Sequence, residues 1–242
     1  MCKLAFLTLN RNGLAVSLVM ALALLLLGGA GLGLFFVLLM VYFLALSAIV
    51  TWTGIARKKA LKLYQYDRGV SNVIANGACP IIMAAVFFFM ESSAVAPGLA
   101  FFAVLGFMGS VAAITADKFS SELGVLDGMP RLIFTLRKVR RGVSGGVTSL
   151  GLGAGLLGSA LIAAGAFAVG GQLASLEGAQ AFNVVAVFIS IVIAGFVGTV
   201  VDSMLGYYEE RGLGNKFTSN FICSLCGAAI SIPLLLALGG MH

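Results

Sequence analysis

The stretch ITADKFSSELG, residues 114–124, places an aspartate, a lysine and a glutamate where a long apolar run is ending. Its meaning depends on what surrounds it. Of the 242 residues 60% are hydrophobic and 10% charged, against roughly 45–50% apolar and about 25% charged in soluble domains. A soluble chain of this length cannot hide so much apolar surface. Apolar runs of about 17–25 residues are long enough to cross the hydrocarbon core of a bilayer. Seven are present, at about 13–30, 32–54, 77–91, 97–116, 147–169, 183–203 and 217–239. The third is short and reads as tilted or broken. The expected fold is all-α: a polytopic membrane protein of about seven transmembrane helices, one integral membrane domain over 1–242.

The first run follows Lys3 and Arg11, as the apolar stretch of a signal peptide would. The second run begins within a few residues and leaves no mature domain to export, so the first is expected to be a transmembrane helix. The cysteines Cys2, Cys79, Cys223 and Cys226 include one C-x-x-C pair inside the last apolar run. Zinc takes about four ligands, and no second pair or nearby histidine supplies them; the pair reads as small packing residues. The single histidine, His242, is the terminal residue, which argues against a histidine metal site.

A net charge of +6 raises nucleic acid as a partner, but charge placement has a simpler explanation. With seven crossings the loops alternate sides, and every basic residue falls on one of them. These are Lys3, Arg11, Arg57, Lys58, Lys59, Lys62, Arg68, Lys118, Arg131, Arg137, Lys138, Arg140, Arg141, Arg211 and Lys216. The opposite loops carry only Glu91 and Glu177. Basic loops stay in the cytoplasm, so the N-terminus is expected inside and the C-terminus outside. The cluster at 57–62 reads as an orienting and lipid-touching element. RLIFTLRKVRR, 131–141, lies between two unusual motifs and reads as functional.

Three strings on the basic side resemble one another: RGVSN (68–72), RGVSG (141–145) and RGLGN (211–215). Each precedes an outward-going helix. GFMGSV (106–111) and GFVGTV (195–200) recur in two returning helices, each followed by an aspartate, Asp117 and Asp202. The offsets differ by four residues, about one helical turn. The pattern suggests pseudo-repeated hairpins: basic glycine loop, helix out, helix back, carboxylate. A glycine loop opening a helix offers free N–H groups and the positive end of the dipole to phosphate oxygens, and arginine adds a planar charged fork. Carboxylates on the same face suit Mg²⁺, which is commonly held by one or two of them plus substrate phosphates. Asp117 and Ser121 share a helical face, with Glu122 beside them. An aspartate near the interface can also simply pair with a neighbouring cation; Asp202, still inside apolar surroundings, favours function for the pair. GAGLLG, 153–158, fits a dinucleotide fingerprint, but that fingerprint needs a strand-to-helix turn. Inside a span, Gly151 and Gly155 read as close helix packing.

RGVSNVIANG (68–77), ADKFSSELG (116–124), PRLIFTLRKVRRGVSGGVTSLG (130–151) and VDSMLGYYEERGLGNKFTSN (201–220) together resemble a membrane family long catalogued only as a domain of unknown function. That family includes the plant chloroplast phytyl-phosphate kinase. The resemblance covers roughly 60–235, which makes 60–242 a core appended to two N-terminal helices in 1–59. A more distant similarity to CTP-dependent dolichol and phytol kinases lies in Asp117 to Gly124, Lys138 and the 142–146 loop. The resemblance implies phosphoryl transfer from a nucleoside triphosphate, CTP by the more distant similarity, to an isoprenoid (phytyl- or geranylgeranyl-type) monophosphate, giving the diphosphate. Asn72, Lys118 and Arg140 stand where the family pattern has glutamine, threonine and proline, and YYEERG is more acidic than its counterpart.

The candidate site follows. Asp117, Glu122 and Asp202 would hold Mg²⁺; with Lys138 they are the candidate catalytic residues. Lys138, Arg141, Gly142, Ser144, Gly145 and Gly146 would bind the triphosphate, and Arg68 and Arg211 the acceptor phosphate. Asn72, Asn76, Ser121, Asn215 and Asn220 complete the polar lining. The isoprenoid tail would lie among the apolar helices. The expected setting is the cell membrane with the site on the cytoplasmic face. A polyprenol kinase and a lipid cytidylyltransferase are the alternative enzymes. A small ion-coupled transporter is the alternative of another class, and it would place its ionisable groups near the midplane.

Overall fold

The structure, a computed structural model, describes residues 9–63, 69–93, 98–171, 173, 176 and 178–239, apart from the Arg57 side chain. Its elements are α1 (Arg11–Thr53), α2 (Ile55–Ala60), α3 (Val70–Ser93), α4 (Ala100–Gly124), β1 (Arg131–Leu132), β2 (Gly146–Val147), α5 (Ser149–Val169), α6 (Val184–Glu209) and α7 (Lys216–Gly239). Six of these helices are long and apolar enough to cross a membrane. The first, α1, is broken at Gly29, whose φ of 57° and ψ of −157° are not helical. A Cβ on Gly33 would lie 2.3 Å from the Leu25 carbonyl oxygen; in a straight helix residues eight apart are roughly 12 Å apart. The chain therefore doubles back into two arms, 11–28 and 30–53. Counting both arms gives seven candidate crossing segments, the number the apolar runs predict.

α4 is the central helix. Its most apolar stretch is 89% buried, against 33–44% for the other five, and it packs against α1, α3, α5, α6 and α7. Small residues permit these approaches, as is usual where lipid offers no hydrophobic drive between helices. A Cβ on Gly109 would meet the Gly227 carbonyl at 2.4 Å, and one on Gly227 would meet that of Gly109 at 2.4 Å. On the α6 side, Gly195 abuts Ala112 and Gly198 abuts Ala113. The expected Gly151/Gly155 packing is also present, against the Ser120 and Ala116 carbonyls of α4. Phe36 and Phe107, with ring centroids 4.4 Å apart, pin the second arm of α1 to α4.

Three boundaries differ from the apolar runs, for one reason. α3 starts at Val70, not near residue 77, because its first turns carry Asn72 and Asn76. α4 and α6 run on past their last apolar residues to Gly124 and Glu209. In each case polar residues belong to the helix and face a polar interior, so hydropathy alone stops short. Between α4 and α5 the chain forms a small antiparallel pair, Arg131 opposite Val147 and Leu132 opposite Gly146.

The ends of α1, α4 and α6 and the starts of α3, α5 and α7 gather at one end of the bundle. The start of α1 lies there too, since Asn10 sits against Gly69. All described lysines and arginines fall on segments at this end.

Candidate functional site

At the basic end a cavity of about 440 Å³ opens between the helix ends. Its floor is the C-terminal part of α4. The charges of ITADKFSSELG thus lie within the last two turns of the central helix, directed into a polar chamber and not beyond the helix end.

Asp117 and Asp202 come together. Because Gly198 sits against Ala113, one turn further along both parallel helices brings the two carboxyls level and within hydrogen-bonding reach. The four-residue difference in motif offset is the difference in height between the two glycine pairs. Asp202 is 6% exposed; its Oδ2 accepts a 2.7 Å bond from Lys216 Nζ. Its Oδ1 is buried without a partner among the described residues, as is Asn220 Oδ1 on the neighbouring α7.

Glu122 does not join them. Lys58 and Lys118, both buried, donate to its two carboxylate oxygens, and Lys58 Nζ also reaches the Thr51 carbonyl at 3.2 Å. Among the described residues no group of three or more His, Cys, Asp or Glu is placed to hold a metal. The expectation of a three-carboxylate cage is therefore replaced by a pair. The two lysines turn Glu122 into a buried strut tying the α1–α2 junction to α4. Sequence reasoning missed Lys58, which looked like one of an orienting cluster. It also missed Lys216. The i, i+4 spacing of Lys118 and Glu122 was the available signal for their pairing.

The 142–146 loop lines the cavity through Gly142, Val143, Ser144, Gly145 and Gly146, with Arg141 beside it. Gly145 has φ +78°, and a Cβ there would meet the Tyr207 nitrogen at 2.5 Å. Only glycine allows the loop to rest on the end of α6. There the Ser144 N–H donates to Glu210 Oε1 at 2.9 Å and its hydroxyl to Glu209 Oε2 at 2.8 Å. The Ser219 hydroxyl donates to the other Glu209 oxygen. Carboxylates from YYEERG thus occupy donors that the sequence suggested for phosphate. Asp127 caps α5, accepting from the Leu150 N–H at 3.3 Å and the Gly128 N–H at 2.7 Å. Those backbone donors hold its carboxyl below the ordinary aspartate value of 3.8.

Asn72, Asn76, Ser121 and Asn220 also line the cavity, and Asn76 Nδ2 donates to the Asn72 carbonyl at 2.8 Å. Other expected residues lie elsewhere. Lys138 is exposed and outside the lining, on the strand-like turn opposite Arg131. Arg211 folds back on Tyr207, its guanidinium 3.6 Å from the ring centroid and bonded to the Tyr207 carbonyl. Asn215 caps the start of α7 by accepting from the Thr218 N–H at 3.1 Å. Arg68 lies outside the described residues.

The lining carries Lys58, Lys118, Arg141 and Lys216 against Asp117, Glu122, Asp202 and Glu209. The first turns of α3, α5 and α7 all open on it, bringing the positive ends of three helix dipoles to the chamber. The donor set fits Mg²⁺: two carboxylates and an amide oxygen, all hard oxygen ligands, with room for phosphate. The orphaned Asp202 Oδ1 and Asn220 Oδ1 are the atoms such an ion would satisfy.

Fold and site define a multi-pass integral membrane protein with a charge-lined, glycine-loop chamber at one end of its bundle. The chain belongs to the family described as integral membrane protein DUF92, whose model matches residues 2–224. It is 32% identical over 199 residues to the uncharacterized membrane protein MJ0933 of Methanocaldococcus jannaschii, covering 81% of this chain and 75% of that one. It is 38% identical over 102 residues to Protein PGR of Arabidopsis thaliana, covering 42% of this chain and 35% of that protein. No solved structure matches.

Proposed function

We propose that the protein is a membrane-embedded phosphotransferase. It moves the γ-phosphoryl group of a nucleoside triphosphate, CTP by the family resemblance, onto an isoprenoid monophosphate and forms the diphosphate. The observation that carries this reading is the level pairing of Asp117 and Asp202 beside the 142–146 loop, with a buried, unpartnered carboxylate oxygen in the chamber.

Asp117, Asp202 and Asn220 would hold Mg²⁺, which when bound neutralises charge on the phosphates and aligns them. Arg141 and the loop around Ser144 and Gly145 receive the triphosphate, displacing the carboxylates of Glu209 and Glu210 from Ser144. Lys216 neutralises the remaining Asp202 oxygen. Lys58 and Lys118 act through Glu122, fixing the wall of the chamber. An oxygen of the acceptor phosphate attacks the γ-phosphorus as the bond to the β,γ-bridging oxygen breaks, and the nucleoside diphosphate leaves with that oxygen. No base is required, because a phosphate monoester is already largely ionised near neutral pH. Alignment and charge neutralisation supply the acceleration. In this reading the chamber lies on the cytoplasmic face of the cell membrane, where nucleotide is available; the basic loops at that end support it.

Product analysis tests the reaction. Purified protein given CTP, Mg²⁺ and geranylgeranyl or phytyl monophosphate is expected to yield the lipid diphosphate and CDP. Release of pyrophosphate with a CDP-lipid would indicate a cytidylyltransferase. Turnover of the free alcohol in place of the monophosphate would indicate a polyprenol kinase.

A further inference from the structure

The polar chamber runs into an apolar groove of about 100 Å³ between the two arms of α1 and α3. Cavity and groove share Phe43, Asn72 and Asn76. The groove walls are Met20 and Leu24 on the first arm, Val37 and Met40 on the second, and Val73 and Gly77 on α3. Met20 reaches across to α3, so that a Cβ on Gly77 would meet its Cε at 2.4 Å. Val41, 52% exposed, stands at the rim.

Polarity rises along one face of the second arm. Phe43, Ser47 and Thr51 occupy successive turns, from groove to chamber. Ser47 Oγ and Thr51 Oγ1 are buried and have no hydrogen-bond partner among the described residues. Buried hydroxyls without partners are costly. Two of them, aligned between an apolar slot and a phosphate-sized chamber, fit the oxygen-bearing end of an amphiphile.

We propose that this groove seats the hydrocarbon chain of a single-chain anionic lipid. The chain enters past Val41 and lies between the α1 arms and α3. Its first oxygens meet Ser47 and Thr51, and its head lies in the chamber. The proposed occupant is single-tailed, matched to the small volume of the groove, about 100 Å³. Identifying this lipid with the acceptor substrate rests on the phosphotransferase reading; the groove itself does not.

The test uses full-length protein in bilayers and an isoprenyl phosphate carrying a photoactivatable diazirine near the tail end. Labelled peptides are expected to map to 17–24, 37–44 and 73–77. Ala21→Trp and, at the exposed rim, Val41→Trp are each expected to cut that labelling by about tenfold, equivalent to losing roughly two buried methylenes. Unlabelled isoprenyl phosphate should compete, whereas a diacyl phospholipid should not. Labelling spread over exposed apolar positions outside these segments, such as Leu26, Leu34 and Ile49, would overturn the proposal. So would labelling of the groove by a diacyl probe that isoprenyl phosphate cannot displace, or labelling that neither variant reduces. Groove labelling without any turnover would sink the kinase reading and leave the groove; turnover with labelling elsewhere would do the reverse.

Discussion

Asp202 and Glu122 are both buried carboxylates facing one chamber, yet their neighbours give them different work. Glu122 is saturated by two lysines, and breaking a buried ion pair by removing one partner is strongly destabilising, by about 3–5 kcal/mol. Glu122→Leu is therefore expected to lower the melting temperature in detergent, with any loss of turnover following the loss of folded protein. Asp202 keeps an unpartnered oxygen beside Asp117. Asp117→Asn and Asp202→Asn should leave melting near wild type and lower turnover by about 10²–10³, the scale seen when one transition-state electrostatic contact is removed. Asp127 offers a pH-resolved contrast. Its folded-state carboxyl is depressed below 3.8 by backbone donors, so its contribution is complete above that value and fades as acid protonates the folded form. The melting deficit of Asp127→Asn should be full at neutral pH and close as the pH falls below 3.8. A deficit that persists in strong acid would mean that the capping charge is not its cause.

At the scale of elements, the 142–146 loop is held by what it lacks. Gly145→Ala has to place a Cβ 2.5 Å from the Tyr207 nitrogen at a positive φ, which displaces the loop from α6. Nucleotide affinity should fall while the helical bundle, read by circular dichroism, is kept; unchanged affinity would remove the loop from phosphate binding. Much of this organisation was legible in the sequence. Apolar run lengths gave the crossings, and the recurrence of GFMGSV and GFVGTV located the two helices whose aspartates meet. Hydropathy lost the first turns of α3 and the last of α4 and α6, since polar residues inside a helix look like its end. Side-chain direction on the hairpin-like 131–147 segment was also out of reach. Spacing placed Lys138 near the loop, but only the strand pairing shows that it points away. Lys58 and Lys216 were hidden for the same reason, because their partners lie on other helices.

For the whole molecule, the distribution of charge makes one end different from the other. Every described lysine and arginine lies at the chamber end, and the proposed orientation, by the positive-inside tendency, has that end in the cytoplasm. With the native cysteines replaced, a cysteine at exposed Met129 should react with a membrane-impermeant maleimide only in inverted vesicles. Reaction from outside intact cells would invert the topology. An interfacial chamber of this kind differs from a transport site, which gathers its ionisable residues near the midplane; here they lie in the last turns of α4 and α6 and the first of α7. The bundle brings an apolar groove, a glycine loop and a carboxylate pair to one end, the arrangement that the proposed reaction between a water-borne nucleotide and a membrane-borne acceptor needs.

The most direct measurement is calorimetric titration of CTP into the purified protein with and without Mg²⁺, repeated on Asp117→Asn and Asp202→Asn. Binding that requires Mg²⁺ in the wild type and is lost in both variants is the predicted result. Wild-type-like, metal-dependent binding in both variants, or no metal-dependent nucleotide binding in the wild type, would contradict the account.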